Sequence, residues 1–375
     1  MFNRPFWIKK IRQAWQHVPI VWLSGVRRVG KTTLTQCFTE ARYLNCDLPS
    51  TQNLLSDPEA FYRSVSEPVV ILDEVHQLPD PSRLLKIGAD EFPTLRILAT
   101  GSSTLAATHK FRDSLTGRKR NVQLVPVLTT ELPAFGVTDL QRRLFQGGLP
   151  PALLAASRDP GFYAEWLDSY YARDVQELFH VEKRTGFLLL IETLLRQNGG
   201  LLEVSNLADV CRLSRPTIGN YLDVLQVTHL VYLLRPYHGG GKQELVRQQK
   251  LYGFDTGFVT YARGWGELRT EDCGLLWENL VLEHLLAQPG APAVRYWRDK
   301  QKHEVDFIIP GSRSACDAIE CKWNPDRFDP ANLRVFRALY PQGRNYVISP
   351  HVQESYTRDV TGLTVTFAGL ADVSY

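Results

Sequence analysis

The sequence predicts an α/β fold in three units, with a parallel sheet first, a helical segment in the middle and alternating strands at the end. A chain of 375 residues exceeds one average domain and leaves room for two or three. Apolar runs at 20–23, 69–72 and 95–99 are typical of buried parallel strands separated by helices. The content of 44% hydrophobic and 22% charged residues is that of a folded chain with sizeable cores.

Composition and cysteine placement narrow the class of protein. No apolar run approaches the roughly 18 residues that a membrane span requires, so the sequence predicts a soluble, cytoplasmic chain without a membrane partner. None of the six cysteines forms a C-x-x-C pair, which argues against a zinc site and favours a reducing compartment. The formal net charge of +3 neither requires nor excludes a nucleic-acid partner. Residues 1–15 predict an amphipathic helix with Phe6 and Trp7 facing inward.

The clearest motif follows the first apolar run, where residues 25–32 have the spacing G-x-x-x-x-G-K-T and residues 34–41 are predicted to be helical. Glycine at the two ends of the loop lets the backbone curl around phosphate oxygens. Lys31 is expected to reach the β- and γ-phosphates, and the Thr32 hydroxyl to ligate Mg²⁺. The alternative is a glycine-rich turn without a ligand. The motif predicts an ATP site formed by Gly25, Val26, Arg27, Arg28, Val29, Gly30, Lys31, Thr32 and Thr33.

Two further strands supply groups that a phosphate loop lacks. Asp73 and Glu74 follow the run 69–72, where a parallel strand emerges at the carboxyl edge of its sheet. Asp73 fits the carboxylate linked to Mg²⁺, and Glu74 fits the general base that activates the attacking water. Thr100 and Ser102 follow the third run and are predicted to sense the γ-phosphate or hold the water. The alternatives are a solvated acidic loop and an ordinary polar turn.

The middle of the chain is predicted to be mainly helical. Residues 163–179 read as one long helix, on which Arg173 is a candidate contact to the nucleotide of its own or an adjacent subunit. Helices at 187–197 and 204–211 precede a third helix that Ser214 caps. The tight connection between the last two is typical of a helix-turn-helix.

A strand at 230–234, a glycine-rich tip at 239–242 and a return at 245–252 would complete a winged helix, which predicts DNA as a partner. Four side chains are predicted to face a groove: Arg212, Arg215, Thr217 and Asn220. Three more are predicted to meet phosphates: Lys242, Arg247 and Lys250. The alternative is a winged helix used for subunit packing.

The last segment places carboxylates on neighbouring strands. Glu320 and Lys322 are two residues apart and share one face of a strand, and a hairpin can bring Asp306 beside them. Asp306 and Glu320 are predicted to hold Mg²⁺, with Lys322 orienting the attacking water. Glu278 is the candidate third carboxylate, and Glu283 is its rival on the same helix. The alternatives are a cross-strand salt bridge and a nuclease-like fold that only binds DNA.

Together these motifs resemble bacterial and archaeal AAA+-type ATPases that join an AAA_14 P-loop domain to a C-terminal DUF4143 region. The resemblance rests on residues 25–33, 72–74, 100–103, 115–118 and 147–150, with the C-terminal segment, and it covers nearly the whole chain. The carboxylate order resembles the PD-(D/E)XK nucleases, with a restriction-endonuclease-like fold, although Val305 stands where a proline often precedes the aspartate. The three expected units are the ATPase at 1–135 with its helical extension at 136–186, the winged helix at 187–250 and the nuclease-like domain at 251–375.

The resemblance implies ATP binding, probable hydrolysis and a homo-oligomer such as a ring or dimer, with Arg118 as an arginine finger or sensor. An arginine on a loop is suited to stabilise developing phosphate charge, in cis or from a neighbour. A solvated basic loop or a DNA-phosphate contact is the alternative for Arg118.

Three functions are compatible with these features. The first is an ATP-driven protein that acts on DNA through the winged helix and nuclease-like domain. The second is a metal-dependent DNA nuclease licensed by ATP. The third is a nucleotide switch that binds protein partners without acting on DNA.

Overall fold

The computed structural model describes residues 3–101, 115–176, 179, 181, 183–238, 247–288, 293–311 and 315–372. Two residues with predicted roles, Ser102 and Lys242, lie outside the described residues.

The N-terminal unit contains a five-stranded parallel sheet in the order β2-β3-β4-β1-β5. Its strands are fully buried at the centre, which explains their continuous apolar runs. Because β4 lies between β1 and β3, the carboxyl ends of these three strands meet at one edge. The strands are β1 (Ile20–Ser24), β2 (Ala41–Asn45), β3 (Val69–Asp73), β4 (Arg96–Thr100) and β5 (Lys119–Gln123).

Helices cover the sheet: α1 (Pro5–Trp15), α2 (Lys31–Thr35), α3 (Pro49–Leu54), α4 (Pro58–Arg63) and α5 (Pro81–Glu91). The amphipathic α1 buries Trp7 completely and leaves Phe6 half-buried. Just before it, the buried Arg4 pairs with Glu131 at 2.6 Å. The helix predicted at 34–41 is shorter than expected, because the chain turns after α2 and residue 41 already begins β2 beside β3.

The helical extension contains α6 (Leu140–Gln146), α7 (Pro150–Leu154) and α8 (Pro160–Tyr170), which runs into a π-helix at Tyr171–Gln176. The single long helix predicted at 163–179 is therefore interrupted. The wider π-helical turn buries the adjacent Tyr170 and Tyr171 and leaves Arg173 and Asp174 beside the phosphate loop.

Three helices and a two-stranded antiparallel ribbon follow: α9 (Arg184–Arg196), α10 (Val204–Cys211), α11 (Arg215–Val227), β6 (Val231–Leu234) and β7 (Lys250–Gly253). Ser214 caps α11 by accepting a hydrogen bond from the Thr217 amide at 3.2 Å. The unit boundary expected at residue 250 falls on the first residue of β7, whose pairing with β6 continues the middle segment to Gly253.

A buried polar joint connects α6 to the remainder of the chain. Arg143 forms a fully buried ion pair with Glu283 at 2.6 Å. Asp255 accepts a hydrogen bond from the Gly148 amide at 2.6 Å and begins α12 (Thr256–Ala262), which packs on α6. Gly147 has a φ of 81°, and a Cβ there would lie 1.9 Å from Asp255 Oδ1. Gly147 and Gly148 thus allow the backbone to approach Asp255 closely at this joint.

The C-terminal unit is a mixed six-stranded sheet in the order β12-β13-β11-β10-β9-β8. Two of its pairings are parallel, β10 with β11 and β11 with β13. Its elements are α13 (Cys273–Ala287), β8 (Arg295–Arg298), β9 (Glu304–Pro310), β10 (Cys316–Cys321), α14 (Ala331–Leu339), β11 (Asn345–Ile348), β12 (Tyr356–Val360) and β13 (Leu363–Ala368). Most of α13 is buried, so it is a core helix.

Among the described residues, no helix is both long and apolar enough to cross a membrane.

The six cysteines, all within the described ranges, form no disulfide.

Replacing Gly147 with alanine is expected to lower the free energy of unfolding by about 2 to 4 kcal/mol, because the new methyl group meets Asp255 and the backbone is left-handed. Gly136→Ala is the matched control, since Gly136 has a φ of 67° but open space around it, and should cost about 1 kcal/mol. Urea and thermal unfolding measure both. Equal losses in the two variants would contradict the role assigned to the joint.

Candidate functional site

The phosphate loop leaves β1 at Ser24 and is closed by glycines with positive φ at both ends. Gly25 has a φ of 144°, and a Cβ there would lie 2.5 Å from the Leu124 carbonyl oxygen. Gly30 has a φ of 99° and directly precedes α2. The two glycines are required by backbone shape, as the motif predicted.

Lys31 folds back over this loop. Its ammonium donates to the carbonyl oxygens of Gly25 at 2.8 Å and Val26 at 3.2 Å. Burial lowers the pKa of Lys31, while the carboxylates of Glu74, Asp174 and Asp73 act in the opposite direction.

Asp73 is the centre of a hydrogen-bond network at the end of β3. Its carboxylate accepts from the hydroxyls of Thr32 at 2.9 Å and Tyr43 at 2.7 Å, and also from Thr100. Three residues predicted from separate motifs are therefore brought together. Sequence reasoning missed Tyr43, because only the pairing of β2 with β3 places it beside Asp73.

Glu74 adopts a left-handed backbone with a φ of 56°, which turns its side chain from the strand direction into the cavity. Its amide donates to the Thr100 hydroxyl at 3.0 Å, and its carboxylate lies 3.2 Å from His76 Nδ1. Burial raises the pKa of Glu74, and the charges of Lys31 and His76 oppose this shift. His76 was not predicted.

A cavity of about 770 Å³ lies between the phosphate loop and the middle segment. The loop, Glu74 and His76 form one wall. The other wall is formed by residues from four segments of the middle unit: Pro150, Pro151, Tyr170, Arg173, Asp174 and Thr228. The site therefore extends beyond the N-terminal unit.

Two contacts hold α8 and the π-helix against the loop. Asp174 lies 3.3 Å from the Arg27 guanidinium, and the Trp166 indole donates to the Arg27 carbonyl oxygen at 3.1 Å. Burial raises the pKa of Asp174, and Arg27 opposes it. The exposed Arg173 also faces the cavity, as predicted for a nucleotide contact, whereas Asp174 was missed.

The end of α11 reaches the same wall. The Thr228 hydroxyl bonds with the Tyr170 hydroxyl at 2.5 Å. Burial lowers the pKa of His229 to about 4, and the Lys31 charge acts in the same direction, so this imidazole is neutral near pH 7. Neither Thr228 nor His229 belongs to a motif that sequence reasoning could use.

Arg118 lies at the edge of the sheet where the parallel strands begin, and the phosphate loop lies at the edge where they end. Its carbonyl accepts from the Ile20 amide at the start of β1, and its guanidinium pairs with Asp90 at 2.6 Å. The length of β1, about 13 Å, separates that edge from the loop. In this conformation Arg118 does not reach the phosphate loop of its own chain, and its role as an arginine finger or sensor, in cis or from a neighbour, stays a prediction.

Asp306, Glu320 and Lys322 meet on the antiparallel pair β9 and β10. Lys322 Nζ lies 2.7 Å from Glu320 Oε2 and 3.9 Å from Asp306 Oδ2. The Cys321 amide donates to Asp306 at 2.8 Å. Burial, followed by the Asp306 charge, raises the pKa of Glu320 to about 8.

Glu278 lies on α13, and its carboxylate pairs with a lysine from another segment. Its carboxylate accepts from Lys250 Nζ at 2.7 Å and from the Tyr252 hydroxyl. The rival Glu283 lies elsewhere, since it pairs with Arg143. Lys250 is buried between acidic groups, so the prediction that it meets phosphates is wrong.

Lysines contact the carboxylates that were predicted to surround Mg²⁺. Within the part of the chain that the structure describes, no three His, Cys, Asp or Glu side chains are grouped as metal ligands. Instead, lysine ammonium groups lie 2.7 Å from Glu278 and 2.7 Å from Glu320. The predicted Mg²⁺ ligation by Asp306 and Glu320 does not fit this arrangement.

The side chains predicted to face DNA cluster around the start of α11. Arg212, Arg215 and Asn220 are exposed. Thr217 is half-buried and bonds with the Ser214 hydroxyl at 2.7 Å. Arg212 ends α10 with a φ of 53°.

Several known proteins are similar to this chain. An uncharacterized protein of Mycobacterium tuberculosis is 28% identical over 313 residues, which cover 80% of this chain and 69% of the relative. An uncharacterized protein of Haemophilus influenzae is 24% identical over 344 residues, covering 82% and 84%. A solved Walker-type ATPase of Pyrococcus abyssi has a TM-score of 0.45 at 16% identity, covering 70% of this chain and 96% of that one.

Three family models match successive parts of the chain. An AAA domain model matches residues 17–132. A domain of unknown function, DUF8612, matches residues 137–269, and another, DUF4143, matches residues 273–366. The AAA_14 and DUF4143 assignments made from the motifs are confirmed. The chain therefore contains an AAA-type P-loop domain and a DUF4143 domain, joined by a DUF8612 segment.

Proposed function

We propose that the protein is an ATPase whose nucleotide binds in the cavity between the phosphate loop and the middle segment. One observation carries the proposal: Lys31 and Thr32 at the start of α2, Asp73 at the end of β3 and Thr100 at the end of β4 converge beside a cavity of about 770 Å³. The match of an AAA domain model to residues 17–132 supports it.

Each residue has a role that its surroundings support. A phosphate oxygen replaces the loop carbonyls as the partner of Lys31. The Thr32 hydroxyl and Asp73 carboxylate, 2.9 Å apart, are hard oxygen ligands and fit Mg²⁺, which neutralises phosphate charge when bound. Glu74 takes the proton of the attacking water, and its raised pKa makes it a stronger base than an ordinary carboxylate. Thr100 orients Asp73 and Glu74.

The middle segment responds to the nucleotide through its charged wall. Arg173 faces the cavity and binds phosphate in cis, whereas Asp174 holds Arg27 and opposes the approach of an anion. In a homo-oligomer, Arg118 reaches the nucleotide of the neighbouring subunit.

DNA is a second partner, and it binds to the same middle segment. Three helices and an antiparallel ribbon follow the order of a winged helix, and exposed Arg212, Arg215 and Asn220 lie around the start of its recognition helix. Nucleotide state then moves this unit through Thr228 and the π-helix. A switch that binds protein partners instead would show turnover indifferent to DNA.

Lys31→Ala is expected to abolish ATP binding, because the loop loses its phosphate cation, whereas Glu74→Gln should bind ATP and lose about 10²- to 10⁴-fold in turnover. Calorimetry and phosphate release distinguish the two effects. Glu91→Gln, an exposed change on α5, is the control and should behave as wild type. Wild-type turnover in Glu74→Gln would refute its assignment as the base.

Asp174→Asn is expected to bind ATP about 5- to 10-fold more tightly, because it frees Arg27 and removes a negative charge beside the phosphates. A titration with fluorescent ATP measures the change. Asp168→Asn, which breaks the exposed pair with Arg184, is the matched control and should leave affinity unchanged. Weaker binding in Asp174→Asn would reverse the role given to this carboxylate.

Arg212→Ala combined with Arg215→Ala is expected to weaken DNA binding and reduce the slope of log affinity against log salt by about 1 to 2, because phosphate contacts release counterions. Arg334→Ala, at an exposed position on α14, is the control. Anisotropy across a salt series on duplex, forked and single-stranded DNA gives the measurement. An unchanged slope would remove α11 from the DNA interface.

A further inference from the structure

Four carboxyl groups of the C-terminal unit lie close enough to interact electrostatically with one another or with Lys250: Glu278, Glu304, Asp306 and Glu320. Glu278 comes from α13, two come from β9, and Glu320 comes from β10. The Oε1 atom of Glu320 is buried without a hydrogen-bond partner. Such a set of oxygens has the chemistry to attract a divalent cation.

A lysine from a different unit already contacts two of these carboxyl groups. Lys250 begins β7 of the middle ribbon, and its side chain is only 4% exposed. Its ammonium lies 2.7 Å from Glu278 and 2.6 Å from Glu304. The hydroxyl of Tyr252, two residues along the same strand, also donates to Glu278. The ribbon thus presents two donors to the carboxylates from one face of β7.

Two further cations pair with carboxylates of the cluster. Arg298 pairs with Glu304 at 2.6 Å, and Lys322 pairs with Glu320 at 2.7 Å and lies 3.9 Å from Asp306. Lys250, Arg298 and Lys322 therefore bring three positive charges to four carboxyl groups. A divalent ion bound by Glu278 and Glu304 would need to displace Lys250 and leave a buried ammonium without a counterion, which is strongly unfavourable.

We propose that Lys250 is the resident cation of this cluster and excludes a divalent metal ion. Its position makes the cluster a joint that holds the β6–β7 ribbon of the middle unit on α13 and β9 of the C-terminal unit. The carboxylates bind a metal only when the ammonium is removed. This inference concerns the C-terminal unit alone and does not depend on ATP binding.

Titration of the nucleotide-free full chain with MnCl₂, followed by calorimetry and by the EPR signal of free Mn²⁺, tests the exclusion. Wild type is expected to have no Mn²⁺ site that depends on Asp306. Lys250→Met should gain one Mn²⁺ site with at least a tenfold higher affinity than any wild-type site, and adding Asp306→Asn should abolish it. Lys300→Met, which removes an exposed lysine of the same unit, should gain none.

Two results would overturn the proposal: wild-type Mn²⁺ binding that depends on Asp306, or a folded Lys250→Met variant that gains no site. Lys250→Arg retains the positive charge and should fold and bind no Mn²⁺, which keeps the test valid if Lys250→Met does not fold. Hydrogen exchange tests the joint separately. Exchange at residues 250–253 should rise in folded Lys250→Met, while exchange in β1 and β3 should remain unchanged. If Lys250→Met does not fold, Glu278→Gln should show the same rise. Unchanged exchange at 250–253 would refute the joint.

Discussion

The order of strands in the N-terminal sheet is the constraint on which the nucleotide site depends. With β4 between β1 and β3, three parallel strands deliver their carboxyl ends to the same edge. Asp73 can then accept hydrogen bonds from residues that are 41 and 27 positions away in sequence, Thr32 and Thr100. A register shift of one residue in β3 would turn Asp73 to the opposite face of the sheet and dissolve this network.

Buried ion pairs join segments that are far apart in the sequence. Arg4 pairs with Glu131 and also donates to the Val29 carbonyl oxygen at 3.3 Å, which connects the N-terminal segment to the phosphate loop. Arg143 and Glu283 join segments 140 residues apart. Breaking one partner of such a pair typically costs about 3 to 5 kcal/mol, because a buried charge is left uncompensated. These segments are therefore held together by more than apolar contact.

Sequence predicted the residues of the nucleotide site best where the motif is local. Spacing within residues 25–33 and the acidic pair after β3 identify Lys31, Asp73 and Glu74 without knowledge of the fold. Tyr43 and Thr228 could not be predicted, because only strand pairing and the packing of α11 bring them to the site.

The charged residues of the C-terminal half were predicted less well, for a physical reason. Lysine is usually exposed, so Lys250 was assigned to phosphate, yet β7 is buried along its whole length and the ammonium pairs with two carboxylates, Glu278 and Glu304. Spacing placed Asp306, Glu320 and Lys322 together correctly. Spacing does not reveal which cation, metal or ammonium, fills the space between carboxylates.

The π-helix at Tyr171–Gln176 makes the number of residues in this segment a structural requirement. An α-helix advances by about 100° per residue, so one residue fewer would rotate Arg173 and Asp174 away from the loop while leaving their identities intact. Such a constraint fixes the number of residues in the segment rather than their identities. A single-residue gap at this point in an alignment would therefore mark a relative whose cavity has a different wall, even where every residue of the phosphate loop is shared.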